Sequence, residues 1–229
     1  FWNSLWSTLL YAVGATTLPI VWSLIVALVL NTRIKFRAFF RTAFYLPCLV
    51  PVVSTSILWT WLYNPDYGLF NTILGWFGLP AQEWIYNEKT VIPSLWLMAI
   101  WGAGATIVVF LASLQGIPDE LYEAVEIDGG GAFAKFRAVT IPFMSPIISF
   151  NFVMSIIGAI QVYAPAAIMT GGGPNNKTNF LTFYVYGLAF SQYRMGNACA
   201  LAVITFIIIL GLTTVFNKLT ERMVFYNAD

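Results

Sequence analysis

The sequence contains no histidine, and only 9% of its residues are charged. Soluble domains carry about a quarter charged residues and use them to build a hydrated shell. A chain this poor in charge cannot clothe one large soluble core. The missing histidine excludes a Ser-His dyad and a His-bearing zinc helix. No Gly directly precedes a Lys-Ser or Lys-Thr pair, so the chain is not expected to hold ATP in a phosphate loop. The two cysteines, Cys48 and Cys199, have neither disulfide nor metal spacing. No metal, cofactor or nucleic-acid partner is expected.

What the sequence has instead is apolar length. Five runs, at about 5–30, 42–63, 91–115, 146–169 and 198–217, are long enough to cross a bilayer as helices. None of them contains Asp, Glu, Lys, Arg or His. The runs are continuous, which favours helices over the short alternating segments of a membrane barrel. The expected fold is therefore an all-α integral membrane protein with a lipid bilayer as its solvent. A membrane enzyme would have neither histidine nor an intramembrane carboxylate to work with here, which leaves it almost no chemistry. Carriers driven by protons or sodium often keep ionisable groups inside their spans. Their absence points to driving energy supplied by a partner.

Orientation follows from the basic residues. The segment after the first run, "NTRIKFRAFFR", holds Arg33, Lys35, Arg37 and Arg41 and no acid. Short loops rich in Lys and Arg stay in the cytoplasm. Alternation then places 64–90 outside, 116–145 inside, 170–197 outside, and the C-terminal tail with Lys218 and Arg222 inside. Phe1 falls outside with no span before it, so at least one earlier span is expected in a longer chain, six or more in all.

One inner loop breaks the pattern. Asp119, Glu120, Glu123, Glu126 and Asp128 are half of the chain's ten acids. Pro118 suits the first turn of a helix, and Asp119 and Glu120 complement its dipole. Asp119, Glu123 and Glu126 share one face, while Leu121, Ala124 and Val125 share another. Such a helix is too short to hold alone in water, where roughly 12–15 residues are needed. Gly129 offers the left-handed turn that ends it. A second helical pattern follows, with Phe133, Phe136 and Val139, and Pro142 is expected to stop it. Pro146 would open the fourth span. A short acidic helix of this kind either docks on a partner, and a basic one, or is a solvated surface loop.

The stretch "EAVEIDGGGAFAKFRAVTIP" resembles the EAA loop of binding-protein-dependent ABC importer permeases. That loop reads Glu-Ala-Ala, three residues, Gly, nine residues, Ile, one residue, Leu-Pro. Counted from Glu123, Ala124 matches, Gly129 is the Gly, Val139 takes the Ile position, and Ile141-Pro142 the Leu-Pro. Val125 replaces the second Ala. Asp128 fits an Asp-Gly-Ala variant in which Gly130 stands for the Ala. "FWNSLWSTLLY", "FRTAFYLPCLVP", "YNPDYGLFN" and "TGGGPNNKTNFLTFYVY" resemble the carbohydrate branch, on the side of the longer subunit of a maltose-type heterodimer.

The resemblance implies a type I ABC importer transmembrane domain that is not itself an enzyme, in a prokaryotic inner membrane. Its implied partners are a second permease subunit, a cytoplasmic ATPase dimer and an extracytoplasmic solute-binding protein. The EAA loop, 116–145, would couple to the ATPase through Glu123, Ala124, Glu126, Asp128, Gly129, Ile141 and Pro142. For the solute path the candidates are Asn151 and Gln161 in the fourth run. Their amides serve either a sugar or helix–helix hydrogen bonds worth about 0.6 kcal/mol each, and the sequence leaves both open. Trp59, Trp61, Trp96 and Trp101 are available as sugar-stacking rings or as packing. The alternative to an ATP-driven permease is a self-contained carrier or channel.

Overall fold

A computed structural model describes residues 1–32 and 35–221; Arg33 and Arg222 of the basic pattern lie outside the described residues. In chain order, α1 covers Trp2–Asn31, α2 Arg37–Tyr45, α3 Val52–Leu62, α4 Leu69–Trp76, and α5 Val91–Trp101. They are followed by α6 Gly104–Gln115, α7 Asp119–Ile127, α8 Ala132–Ile160, α9 Leu181–Ser191 and α10 Met195–Thr220. No strand occurs among the described residues.

Helices α1, α8 and α10 are each long and apolar enough to cross a membrane. The other two expected spans are broken. Residues 37–49 and α3 meet at 101°, and α5 and α6 at 49°. Proline explains the first break. Pro47 lies in a tight turn over Leu46–Leu49, and Pro51 starts α3; neither can donate the backbone bond that a continuous helix needs. At the second break Gly102 ends α5. Two residues on, Gly104 has no room for a side chain, because a β-carbon there would run into the Phe44 carbonyl.

The fourth span differs most from expectation. Its helix covers Ala132 to Ile160, beginning ahead of the expected 146–169 run and ending short of 169, and neither Pro142 nor Pro146 stops it. A wide turn over Phe136–Thr140, closed by the Ile141 N–H on the Phe136 carbonyl, takes up the distortion just before Pro142. Pro146 cannot bond the Pro142 carbonyl, but the Ser145 hydroxyl does, at 2.7 Å. Neighbouring side chains that take over freed backbone groups are what let proline sit inside a membrane helix.

α1 is the central post, packed against α5, α6 and α8. Its buried stripe is Ser4, Thr8, Ala12, Thr16, Ile20, Ser23 and Ala27, mostly small side chains one turn apart. Small residues let helix backbones approach closely in a membrane. The Thr8 hydroxyl accepts from the Leu181 N–H at 2.9 Å, and the Trp96 indole donates to the Tyr11 carbonyl at 2.9 Å. Large apolar side chains such as Val13, Val21, Val29, Phe206 and Leu210 face outward, as a lipid solvent permits.

The molecule has two ends. One carries Asn31, the start of α2, Gln115, α7 and Thr220. The other carries Phe1, the 64–90 segment and the 170–180 loop. Leading into the 64–90 segment, Trp59 packs against the rings of Tyr63 and Phe70, which in turn pack against Trp84, and the Tyr63 hydroxyl donates to the Ser94 carbonyl at 2.7 Å. The "TGGGP" loop is knitted, not loose. The Thr178 hydroxyl lies 2.6 Å from both the Gly173 carbonyl and the Thr170 hydroxyl, and Asn175 donates to Glu88 at 3.0 Å.

Candidate functional site

Helix α7 and the first turns of α8 form a hairpin at the Asn31 end. Leu121, Tyr122 and Val125 pack onto a core that includes Leu114, Ile117, Val139 and Met144. The Tyr122 hydroxyl and the Thr140 hydroxyl lie 3.1 Å apart. The short helix is thus seated on its own chain, and the residues that seat it differ by one position from the expected oily face. Ala124, expected there, is exposed. Tyr122 was not singled out by the sequence; its signal was its place one turn before Glu126, beside Leu121.

The turn is built by glycine. Gly129 has φ +79, as a left-handed helix end requires. Its N–H bonds the Glu126 carbonyl at 2.9 Å, and the Gly130 N–H bonds the Val125 carbonyl at 2.8 Å. Those two bonds satisfy carbonyls that the helix end leaves open. Across the turn, Lys135 Nζ sits 2.5 Å from Glu126 Oε2. The Lys135 hydrogen bond and charge hold the Glu126 carboxyl below its ordinary value of 4.5.

The seven expected coupling residues therefore divide. Glu123, Ala124 and Asp128 are exposed, together with Ile127 and Phe133. Glu126 is turned to Lys135 within the hairpin. Gly129 makes the turn. Ile141 and Pro142 are half-buried in α8 and follow the wide turn.

A second feature lies at mid-depth. A cavity of about 560 Å³ is lined by Tyr11, Cys48, Thr55, Trp101, Gln161 and Tyr163, among others, and no charged residue lines it. Its wall includes Pro47 and Val52 from the first helix break, Trp101 and Gly102 from the second, and Gln161 to Pro165 beyond the end of α8. Three interruptions of helical backbone surround one space. Non-helical backbone inside a membrane is tolerated where it lines a cavity or is buried in protein. The two candidate amides separate here. Gln161 is exposed on the cavity wall where α8 ends. Asn151 donates to the Ile147 carbonyl of its own helix at 2.8 Å and does not line the cavity. Of the four tryptophans only Trp101 lines it.

Residues 19–224 match the family model of the binding-protein-dependent transport system inner membrane component. The chain belongs to that family. It is 32% identical to the probable ABC transporter permease protein YesP of Bacillus subtilis, over 100% of this chain and 75% of that protein. It is 31% identical to the trehalose/maltose transport system permease protein MalF of Thermococcus litoralis, over 95% of this chain and 74% of that one. The arabinooligosaccharides transport system permease protein AraP of B. subtilis is 33% identical, over 96% and 72%. A bacterial alginate ABC transporter, solved in complex with an alginate pentasaccharide-bound periplasmic protein, shares the fold. One of its chains superposes with a TM-score of 0.88 at 22% identity, covering 97% of this chain and 79% of that chain. Permeases of this family are membrane transport components and not enzymes, and their systems include an ATPase and a solute-binding protein.

Proposed function

We propose that this permease carries a neutral sugar through the cavity at its helix breaks, driven by an ATPase that grips the exposed side of the α7 hairpin. The observation that carries the reading is the convergence of three backbone interruptions on one uncharged cavity. Its volume falls in the roughly 300–1,000 Å³ range of small-molecule sites. Hydroxyl and amide groups of Tyr163, Thr55 and Gln161 suit sugar hydroxyls, and Trp101 offers an apolar ring face. Two relatives are named for trehalose and maltose and for arabinooligosaccharides, which supports the sugar class.

At the hairpin, Glu123 and Asp128 supply acid while Ala124, Ile127 and Phe133 supply apolar contact. A basic and apolar cleft on the ATPase complements that surface. Glu126 and Gly129 keep the hairpin's shape. Lys35, Arg37, Arg41, Lys135, Arg137 and Lys218 all belong to the same end, which supports a cytoplasmic placement of that end and of the chain's C-terminal side. A second permease subunit closes the open side of the cavity, and the heterodimer of the carbohydrate branch is the favoured pairing. The receptor docks at the opposite end, against the 64–90 and 170–180 loops.

The test is uptake into vesicles that hold the assembled transporter and its receptor. Labelled neutral saccharide should accumulate only with ATP. Equal uptake by the permease subunits without the ATPase would overturn the reading.

A further inference from the structure

We propose that α2 and the inner half of α1 bind one anionic phospholipid, with its phosphate on Arg37 and Arg41 and an acyl chain in the groove beside them. The two arginines stand one turn apart on α2 and are half-buried. Both converge on Gln115. With its amide oxygen turned toward them, Gln115 accepts from Arg37 Nη2 at 2.5 Å and Arg41 Nη2 at 2.6 Å. Arg37 also reaches Asn31 Oδ1 at 3.4 Å, at the end of α1. Two full positive charges thus share one neutral oxygen.

Among the described residues no carboxylate pairs with them. Among the described residues the ion pair is Lys135–Glu126, away from this site. The Nε atoms of Arg37 and Arg41 are buried without a hydrogen-bond partner. Unsatisfied buried donors are rare and costly. Arginine's fork of N–H groups matches a phosphate by two parallel bonds.

The chemistry next to the arginines is the opposite. Phe40 and Phe44 form the adjoining stripe of α2, and with Trp22, Ile25, Val29 and Leu30 of α1 they line a wholly apolar groove of about 420 Å³. It adjoins a second groove of about 780 Å³ that shares Trp22, Phe40 and Phe44 and continues to Trp101. α2 begins at the membrane surface with Arg37 and ends beside Gly104, at the break between α5 and α6. Along the spanning helix α1 the groove's wall runs from Trp22 to Leu30, about 12 Å of helix rise, close to half of the roughly 30 Å hydrocarbon core. The groove therefore has the reach of one leaflet, with a phosphate-binding pair at its polar end. A transmembrane helix, of a protein partner or of an earlier span of a longer chain, would fill the groove and leave the arginine pair uncompensated.

Native mass spectrometry of the assembled transporter tests this in mixed phosphatidylglycerol and phosphatidylcholine micelles. Phosphatidylglycerol should be retained in preference by about thirtyfold, since the two arginines near an anionic lipid contribute on the order of 1 kcal/mol each. The paired R37Q and R41Q substitutions should erase the preference, and the paired R37K and R41K substitutions should keep most of it. V29W, which fills the groove, should lower retention of both lipids. Equal retention of the two lipids by the wild-type transporter, or an unchanged preference in the glutamine variant, would overturn the proposal. So would a cysteine at Val29 that crosslinks to the second permease subunit in place of capturing lipid.

Discussion

A β-carbon added to Gly130 would sit 2.5 Å from Val125 Cγ1. These are the two positions where the loop departs from the pattern it resembles, Val for Ala at 125 and Gly for Ala at 130. The larger side chain at one fills the space that the smaller residue leaves at the other. The second glycine does not loosen the turn. It receives Val125 and donates its N–H to the Val125 carbonyl.

Gly130→Ala alone should destabilise the hairpin by about 1–3 kcal/mol, the range for overpacking a filled site. Adding Val125→Ala should recover part of that loss, so the double change costs less than the two single changes summed. Recovery is incomplete because the Val125 carbonyl also lies 2.8 Å from the added β-carbon. Hydrogen exchange of the amides at 127–130 measures both effects.

Gly129→Leu puts a side chain at φ +79, where L-residues pay about 1–2 kcal/mol. Nothing lies within 4 Å of an added β-carbon there, so the strain is local. The membrane fold should survive while ATP hydrolysis loses its link to transport. The ratio of solute moved to ATP hydrolysed, in vesicles, should fall, and expression should not.

The Glu126–Lys135 bridge sets the hairpin's response to acid. Lys135 lowers the Glu126 carboxyl below 4.5. A lowered carboxyl contributes fully above its unfolded value and loses that contribution as pH falls through its folded value. On lowering the pH from neutral, the turn should therefore keep the bridge's contribution down to about 4.5 and lose it only in stronger acid. Glu126→Gln should remove this acid step, seen as amide exchange at 127–132 that no longer depends on pH beyond its intrinsic rate. Glu123→Gln should leave the step in place and weaken the ATPase contact instead.

Gln161→Ala should raise the solute KM about five- to tenfold, the scale of losing a hydrogen bond of about 1–1.5 kcal/mol to a bound sugar. Asn151→Ala should change it little, because that amide is spent on the Ile147 carbonyl. Equal effects of the two would contradict the separation seen here.

The class of the protein was legible because bilayer physics leaves long uncharged runs, and the hairpin because its acids, glycine and spacing are local. The straightness of the spans was not legible. Pro47, Pro51 and Gly102 marked real breaks, whereas Pro142 and Pro146 did not. What separates them is the Ser145 hydroxyl and one wide turn, and proline by itself does not reveal whether a neighbour takes over its freed carbonyl. Gln161 read as a mid-span residue for the same reason. Once α8 begins at Ala132, it ends by Ile160 and leaves Gln161 at the cavity wall. The partnering of Glu126 was hidden because Lys135 approaches it only after the chain reverses.

The most direct test of the account is a cysteine at exposed Ala124, in a transporter whose Cys48 and Cys199 are replaced. Assembled with its ATPase, this variant should crosslink to that subunit, and the yield should change when ATP is added. No crosslink in an actively transporting complex, or labelling of that cysteine by an impermeant reagent from the receptor side, would contradict it.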